Sequence, residues 1–198
     1  MVLAAGGGLV QGARLGELVM IPAGYLAKRT EVPKGFDVPS VRDICSVSGC
    51  VSQNFADYIQ YWKHNGYWLF DSPESIRQLA GEASISLEGT QLFYYEVYES
   101  EFDGTRWSKF ESDVAVPTNV MQPADKDLYG FDVVTFYAGN APECSPLSCN
   151  SMAKEIPTNE HCLLRTFDEA YRKLSDGVFK HAEPGPYRIF AVYSVGWS

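Results

Sequence analysis

The chain has 198 residues and a formal net charge of -9, and 45% of its residues are hydrophobic, which is enough for one well-buried domain or at most two small ones. No run of basic residues is longer than the pair Lys28-Arg29, so nothing in the sequence resembles a basic patch for a nucleic-acid backbone. The acidic charge and the lack of a long apolar run argue against a membrane partner.

The first 19 residues are rich in Gly, Ala and Leu. They lack the basic start of a secretory leader, and Arg14 and Glu17 interrupt any apolar centre. We therefore expect residues 1–19 to be a flexible tail or an alternative start, followed by a single α+β domain over residues 20–198. Five cysteines without a leader indicate a reducing compartment, which places the protein in the cytoplasm.

Strands and helices are predicted to alternate along the domain. The first half begins with a strand over 18–30, followed by a helix over 52–63 whose apolar residues share one face, a short strand over 67–70, and a helix capped by Ser72 that runs to about Gly81. The second half has strands at 131–138, 162–164 and 187–195, with helices at 150–154 and 167–174. This alternation is typical of an α+β domain.

Between the two halves, Asp103-Gly104 joins two strand-like segments at 91–102 and 105–116. Asp-Gly favours a two-residue type I′ turn. Such a turn would place Glu101 opposite Arg106 and Val97 opposite Phe110.

The same order of elements occurs twice, as repeat 1 at about 20–116 and repeat 2 at about 131–196. Two C-S-x-x-x-C loops, 45–50 and 144–149, lie 99 residues apart. Six further identities have a spacing of 95: Glu74/Glu169, Arg77/Arg172, Leu79/Leu174, Glu88/Glu183, Val97/Val192 and Tyr98/Tyr193. We expect an internally duplicated strand–loop–helix–strand–helix–strand unit with a pseudo-twofold axis, and a mostly antiparallel or mixed sheet covered by helices.

The loop cysteines are the first candidates for chemistry. Cys149 precedes a predicted helix, whose N-terminus would lower the pKa of its thiol, so Cys149 or Cys144 could act as a nucleophile. Four converging thiolates could bind Zn²⁺ or an iron–sulfur cluster, but the four-residue gap fits structural zinc sites poorly, so no metal and no cofactor are predicted. Buried cysteines that only fill the core are a further interpretation.

Three functional hypotheses follow. The leading one is a non-catalytic binding module that holds a small molecule or a protein partner between the two repeats, with Cys45, Cys50, Tyr61 and Trp107 as candidate contacts. The first alternative is a thiol-dependent enzyme that uses Cys149 or Cys144. The second is an acidic interaction protein that presents the carboxylates of its hairpin to a basic partner: Glu96, Glu99, Glu101, Asp103, Glu111 and Asp113.

Overall fold

A computed structural model describes residues 18–48, 65–111, 118–135 and 144–197. The predicted tail up to residue 17, the predicted helix 52–63, Cys50 and Tyr61 lie outside these residues. The described strands are β1 (Met20–Lys28), β2 (Gln91–Tyr98), β3 (Ser100–Phe102), β4 (Trp107–Lys109), β5 (Asp127–Thr135) and β6 (Tyr187–Val195). The α-helices are α1 (Pro73–Glu82) and α2 (Phe167–Ser175), and a short 3-10 helix spans Met152–Lys154.

The six strands form one sheet in which all paired neighbours are antiparallel. Strand β6 pairs with β5 along one edge and with β2 and β3 along the other. Strands β1 and β4 extend the sheet beyond β2 and β3. The predicted α+β class with a mostly antiparallel sheet is confirmed. No helix in the described ranges is long and apolar enough to cross a bilayer.

Both α-helices begin at a side-chain cap. The hydroxyl of Ser72 accepts a hydrogen bond from the amide of Ser75, and the hydroxyl of Thr166 accepts one from the amide of Glu169. Each cap satisfies an amide that the first turn of a helix leaves without an intrahelical partner. The helices then bury matching positions against the sheet: Pro73, Ile76 and Ala80 in α1, and Phe167, Ala170 and Leu174 in α2. The predicted cap at Ser72 is confirmed.

The loops that lead into these helices share a hydrogen-bond pattern centred on Asn65 and Asn159. The side-chain oxygen of Asn65 accepts the amides of Tyr67 and Leu69, and its side-chain nitrogen donates to the carbonyl of Ala23 in β1. The side chain of Asn159 likewise accepts the amides two and four residues later and donates to a carbonyl in β5. Each asparagine therefore ties a turn to its neighbouring strand.

A glycine lies in β1 and in β5 where these loops cross the sheet. Gly24 has a φ of +139°, and a Cβ built on it would lie 2.6 Å from the Cβ of Leu69. Gly130 has a φ of +151°, and its Cβ would lie 2.9 Å from the Cβ of Leu163. In both strands the register shifts at this point. A bulge with glycine at its centre lets the loop backbone approach the strand closely.

The spacing of the two helix caps corrects the sequence alignment. Ser72 and Thr166 lie 94 residues apart, whereas the identities in the sequence were aligned at a spacing of 95. Glu74 is consequently the second residue of α1, and Glu169 is the third residue of α2. The identical pairs in the helices do not occupy equivalent positions.

The predicted register of the hairpin at Asp103-Gly104 is wrong. Phe102 pairs with Trp107, so residues 103–106 form a four-residue loop. The side-chain oxygen of Asp103 accepts the amides of Thr105 and Arg106 at 2.8 and 2.9 Å. An aspartate that accepts hydrogen bonds from the amides of the residues after it favours this wider turn over the two-residue turn.

Candidate functional site

The two C-S-x-x-x-C loops are both hydrogen-bonded to one buried carboxylate. Asp132 lies in β5 and is fully buried. One of its oxygens accepts the hydroxyl of Ser145 at 2.6 Å, and the other accepts the hydroxyl of Ser46 at 2.5 Å and the amide of Val47 at 3.0 Å. A single side chain therefore holds two loops that are far apart in the sequence. The described parts of these loops, 45–48 and 144–149, are called the paired loops below.

A second buried charge holds the first loop from the side of β1. The ammonium group of Lys28 donates hydrogen bonds to the carbonyls of Ser46 and Ser48, and only 2% of the residue is exposed. Burial raises the pKa of Asp132 above its usual value. The hydrogen bonds from the two serines and from Val47, together with the charge of Lys28, offset only part of this rise. Buried charges of this kind are stable only when they are hydrogen-bonded and compensated.

The paired loops also contact each other directly. The hydroxyl oxygen of Ser48 lies 3.5 Å from the sulfur of Cys149. At the start of the second loop, Cys144 exchanges backbone and side-chain hydrogen bonds with Thr135 at the end of β5. Both Cys144 and Cys149 are half-buried. The two candidate thiols therefore lie on a loop that is fixed at both ends and partly open to solvent.

The surroundings of Cys149 differ from the sequence expectation. The amide of Cys149 donates to the carbonyl of Ser145 within a turn, and the helix expected at 150–154 is a 3-10 helix of only three residues, Met152–Lys154. One short turn has too few aligned peptides to act as a helix dipole. The predicted lowering of the thiol pKa by a helix N-terminus therefore loses its basis.

A side-chain cluster that was not predicted from the sequence lies beside the first of the paired loops. The thiol of Cys45 donates to Oδ1 of Asp43 at 3.2 Å, and Nδ1 of His161 lies 2.6 Å from the same oxygen. These three residues are called the Asp43 cluster below. His161 and Cys45 belong to segments more than 100 residues apart, which pair only in the fold.

The thiol of Cys45 in the Asp43 cluster is a poor nucleophile. Cys45 is fully buried, and burial and the charge of Asp43 raise the pKa of its thiol. Burial also acts to raise the pKa of Asp43, but hydrogen bonds from His161 and Cys45 outweigh it and hold that pKa below its usual value. The carboxylate lies between the thiol and the imidazole, so His161 does not act as the base of a Cys–His pair.

The remaining sequence candidates lie elsewhere. The indole of Trp107 stacks on Tyr171 of α2 with ring centroids 4.5 Å apart, and its nitrogen donates to the hydroxyl of Ser175. Trp107 is therefore half-buried against a helix. In the proposed acidic surface, Glu96 contacts Lys126 and accepts the hydroxyl of Tyr193 at 2.8 Å, so this carboxylate is neutralised locally. Cys162 is 1% exposed, which agrees with the interpretation of a cysteine that only fills the core.

No protein-family model, curated protein or solved structure matches this chain. The function is therefore inferred from the chemistry of the paired loops and of the Asp43 cluster.

Proposed function

We propose that this protein is a non-catalytic binding module whose ligand, a small molecule or a segment of a protein partner, contacts the paired loops. The observation that carries the proposal is the carboxylate of Asp132, which accepts hydroxyl groups from Ser46 in one loop and Ser145 in the other. The free thiols of the buried residues Cys45 and Cys162 are consistent with a reducing compartment and hence with a cytoplasmic location.

The cost of this arrangement supports a role beyond packing. Removing a carboxylate and an ammonium group from water costs several kcal/mol for each ion, and well-packed apolar side chains often stabilise a core equally well. In exchange, Asp132 and Lys28 hold both loops in a single conformation through five hydrogen bonds. A surface ordered in advance binds more tightly because little conformational entropy is lost on binding.

We also propose that the two halves derive from one duplicated unit related by a pseudo-twofold axis. The similar hydrogen bonds of Asn65 and Asn159 support this relationship, as do the equivalent caps of α1 and α2. Tyr95 and Val192 pair in the centre of the sheet and are both fully buried. Buried side chains therefore occupy the centre of the sheet, and we place the proposed ligand site at the paired loops.

A thermal-shift screen with a library of small metabolites tests the binding proposal. A ligand of the paired loops should raise the Tm of the wild-type protein and of Ser108→Ala, a control on the exposed part of β4. The shift should disappear in Cys149→Ala. No shift with any compound, or an equal shift in Cys149→Ala, contradicts binding of a small molecule at this surface.

A thiol-dependent enzyme is the second candidate, because Cys149 is half-buried and its sulfur contacts the hydroxyl of Ser48. Alkylation with iodoacetamide near neutral pH, read for each cysteine by mass spectrometry, separates the two functions. An enzyme requires one cysteine, Cys149 or Cys144, to react much faster than a cysteine in a short peptide. Slow labelling of all the cysteines supports the binding module.

A further inference from the structure

The Asp43 cluster combines three kinds of metal-binding atom in one place. The carboxylate of Asp43, the thiol of Cys45 and the imidazole of His161 each offer one atom, and these atoms lie within 4.8 Å of one another. A tetrahedral Zn²⁺ site with bonds of 2.0–2.3 Å separates its ligand atoms by roughly 3.3–3.5 Å. The oxygen–sulfur distance of 3.2 Å is already close to this value. The nitrogen–oxygen distance of 2.6 Å must lengthen by about 0.7 Å, and the nitrogen–sulfur distance, which is at most 4.8 Å, must settle at roughly 3.5 Å.

The backbone holds the two ligand-bearing segments side by side. The amides of Arg42 and Asp43 both donate to the carbonyl of Glu160, at 2.8 and 3.2 Å, and the amide of Cys45 donates to the carbonyl of His161 at 3.2 Å. These bonds set the distance between residues 118 positions apart in the sequence. The three donor atoms are therefore brought together by the fold before any ion binds.

The surroundings of His161 resemble the outer shell of a metal-binding histidine. Its Nδ1 faces Asp43, while its Nε2 lies 3.6 Å from a carboxylate oxygen of Glu160. The ring of Tyr129 stacks on the imidazole with centroids 4.0 Å apart and an angle of 9°. Metal-binding histidines commonly direct their second nitrogen to a carboxylate, which fixes the ring and strengthens it as a ligand.

We propose that Asp43, Cys45 and His161 form a zinc site. A carboxylate, a thiolate and a neutral imidazole suit Zn²⁺ because it accepts oxygen, sulfur and nitrogen ligands without a strong preference for geometry. Binding releases the thiol proton of Cys45 to solvent and requires the imidazole proton to move from Nδ1, which faces Asp43, to Nε2, which faces Glu160. The two negative ligands then balance the charge of the ion.

The three ligands found among the described residues leave one position of a tetrahedral ion for a further ligand or water. The side chains of Asp43 and His161 are 16% and 11% exposed, so solvent reaches the cluster from their side. The zinc site shares Cys45 with the first of the paired loops, but it does not depend on ligand binding there, and either proposal can fail without the other.

Metal analysis of the purified full-length chain provides the first test. After removal of bound metal with a chelator, the chain should take up one equivalent of Zn²⁺ in a competition titration. The Co²⁺ form should show the charge-transfer band of a cobalt–thiolate bond, together with the visible bands of tetrahedral Co²⁺. Failure to bind one equivalent, or a Co²⁺ spectrum without the thiolate band, overturns the proposal.

Variants identify the ligands. Cys45→Ser should abolish the thiolate band, and His161→Gln should weaken Zn²⁺ binding by more than about 100-fold, whereas His181→Gln at an exposed position is the matched control and should bind as the wild type does. Glu160→Gln changes an exposed side chain, so it should keep the fold and weaken binding by about 10-fold. Retention of the band in Cys45→Ser, or unchanged affinity in both His161→Gln and Glu160→Gln, overturns the assignment.

Discussion

Asn65 and Asn159 hold their loops in the same way although they lie in different halves of the chain. Each side-chain oxygen accepts two amides of the following turn, and each side-chain nitrogen donates to a carbonyl of the adjacent strand. The side chain thus supplies the hydrogen bonds that neither a helix nor a strand provides at these positions. The residues that cap α1 and α2, Ser72 and Thr166, lie seven residues after these asparagines.

Replacement of either asparagine by alanine should be strongly destabilising. Asn65→Ala removes four side-chain hydrogen bonds and Asn159→Ala removes three, and for each we expect a loss of about 2–4 kcal/mol in the free energy of unfolding. Urea denaturation followed by circular dichroism measures this loss. The exposed Asn119→Ala is the control and should change stability by less than about 0.5 kcal/mol. Losses below 1 kcal/mol at both asparagines would show that the turns do not depend on them.

The glycines at the two bulges lead to a prediction with a built-in contrast. Gly24→Ala and Gly130→Ala place a Cβ less than 3 Å from backbone or Cβ atoms of the neighbouring loop, at a positive φ. Each should lower the free energy of unfolding by about 2–5 kcal/mol. Gly81→Ala in α1 meets no atom within 4 Å and should raise it by about 0.5–1 kcal/mol because alanine favours a helix. The same substitution, glycine to alanine, is thus expected to lower the free energy of unfolding at the bulges and to raise it in α1. A loss of stability in all three variants would contradict this explanation.

The pattern of apolar residues predicted most of the described elements. Strand β6 and helix α1 lie where the sequence placed them, because β-branched and aromatic residues mark the strand and the Ser72-Pro73 cap marks the helix. The hairpin register was missed because Asp103 binds the amides of Thr105 and Arg106. That local competition between a side chain and the backbone overrides the preference of the Asp-Gly pair.

The candidate sites were less accessible to sequence reasoning, because they form only when distant segments meet. One signal was nonetheless present: Asp132 is a single acid within the apolar segment FDVVTFYA, and a buried charge there requires partners. The two asparagine turns also share the pattern N-x-x-x-L-x-x-S/T at a spacing of 94, which is the spacing of the helix caps Ser72 and Thr166. Nothing in the sequence linked Cys45 to His161, since only the backbone pairing of their loops brings them together.

The contributions of Asp132 and Lys28 to the free energy of unfolding should depend on each other. Asp132→Asn replaces one carboxylate oxygen by an NH2 group, which cannot accept a hydrogen bond, and it removes the negative charge that interacts with Lys28. We expect a loss of about 3–5 kcal/mol in the free energy of unfolding. Adding Lys28→Met should cost less than the sum of the two single changes, with a coupling of about 0.5–3 kcal/mol. Simple additivity in urea denaturation would show that Lys28 and Asp132 act separately.

The hairpin loop provides a prediction for pH dependence. Hydrogen bonds from Thr105 and Arg106 lower the pKa of Asp103 to about 2. Because the folded pKa lies below the value of 3.8 for a free aspartate, ionised Asp103 stabilises the turn above about pH 4, and this contribution is lost as the pH falls from there to about 2. NMR titration of the Asp103 carboxyl carbon measures the pKa directly. The side-chain hydrogen bond of Thr105 is its largest cause, so Thr105→Val should move the pKa towards 3.8. An unshifted pKa in the wild-type protein would contradict the observed turn.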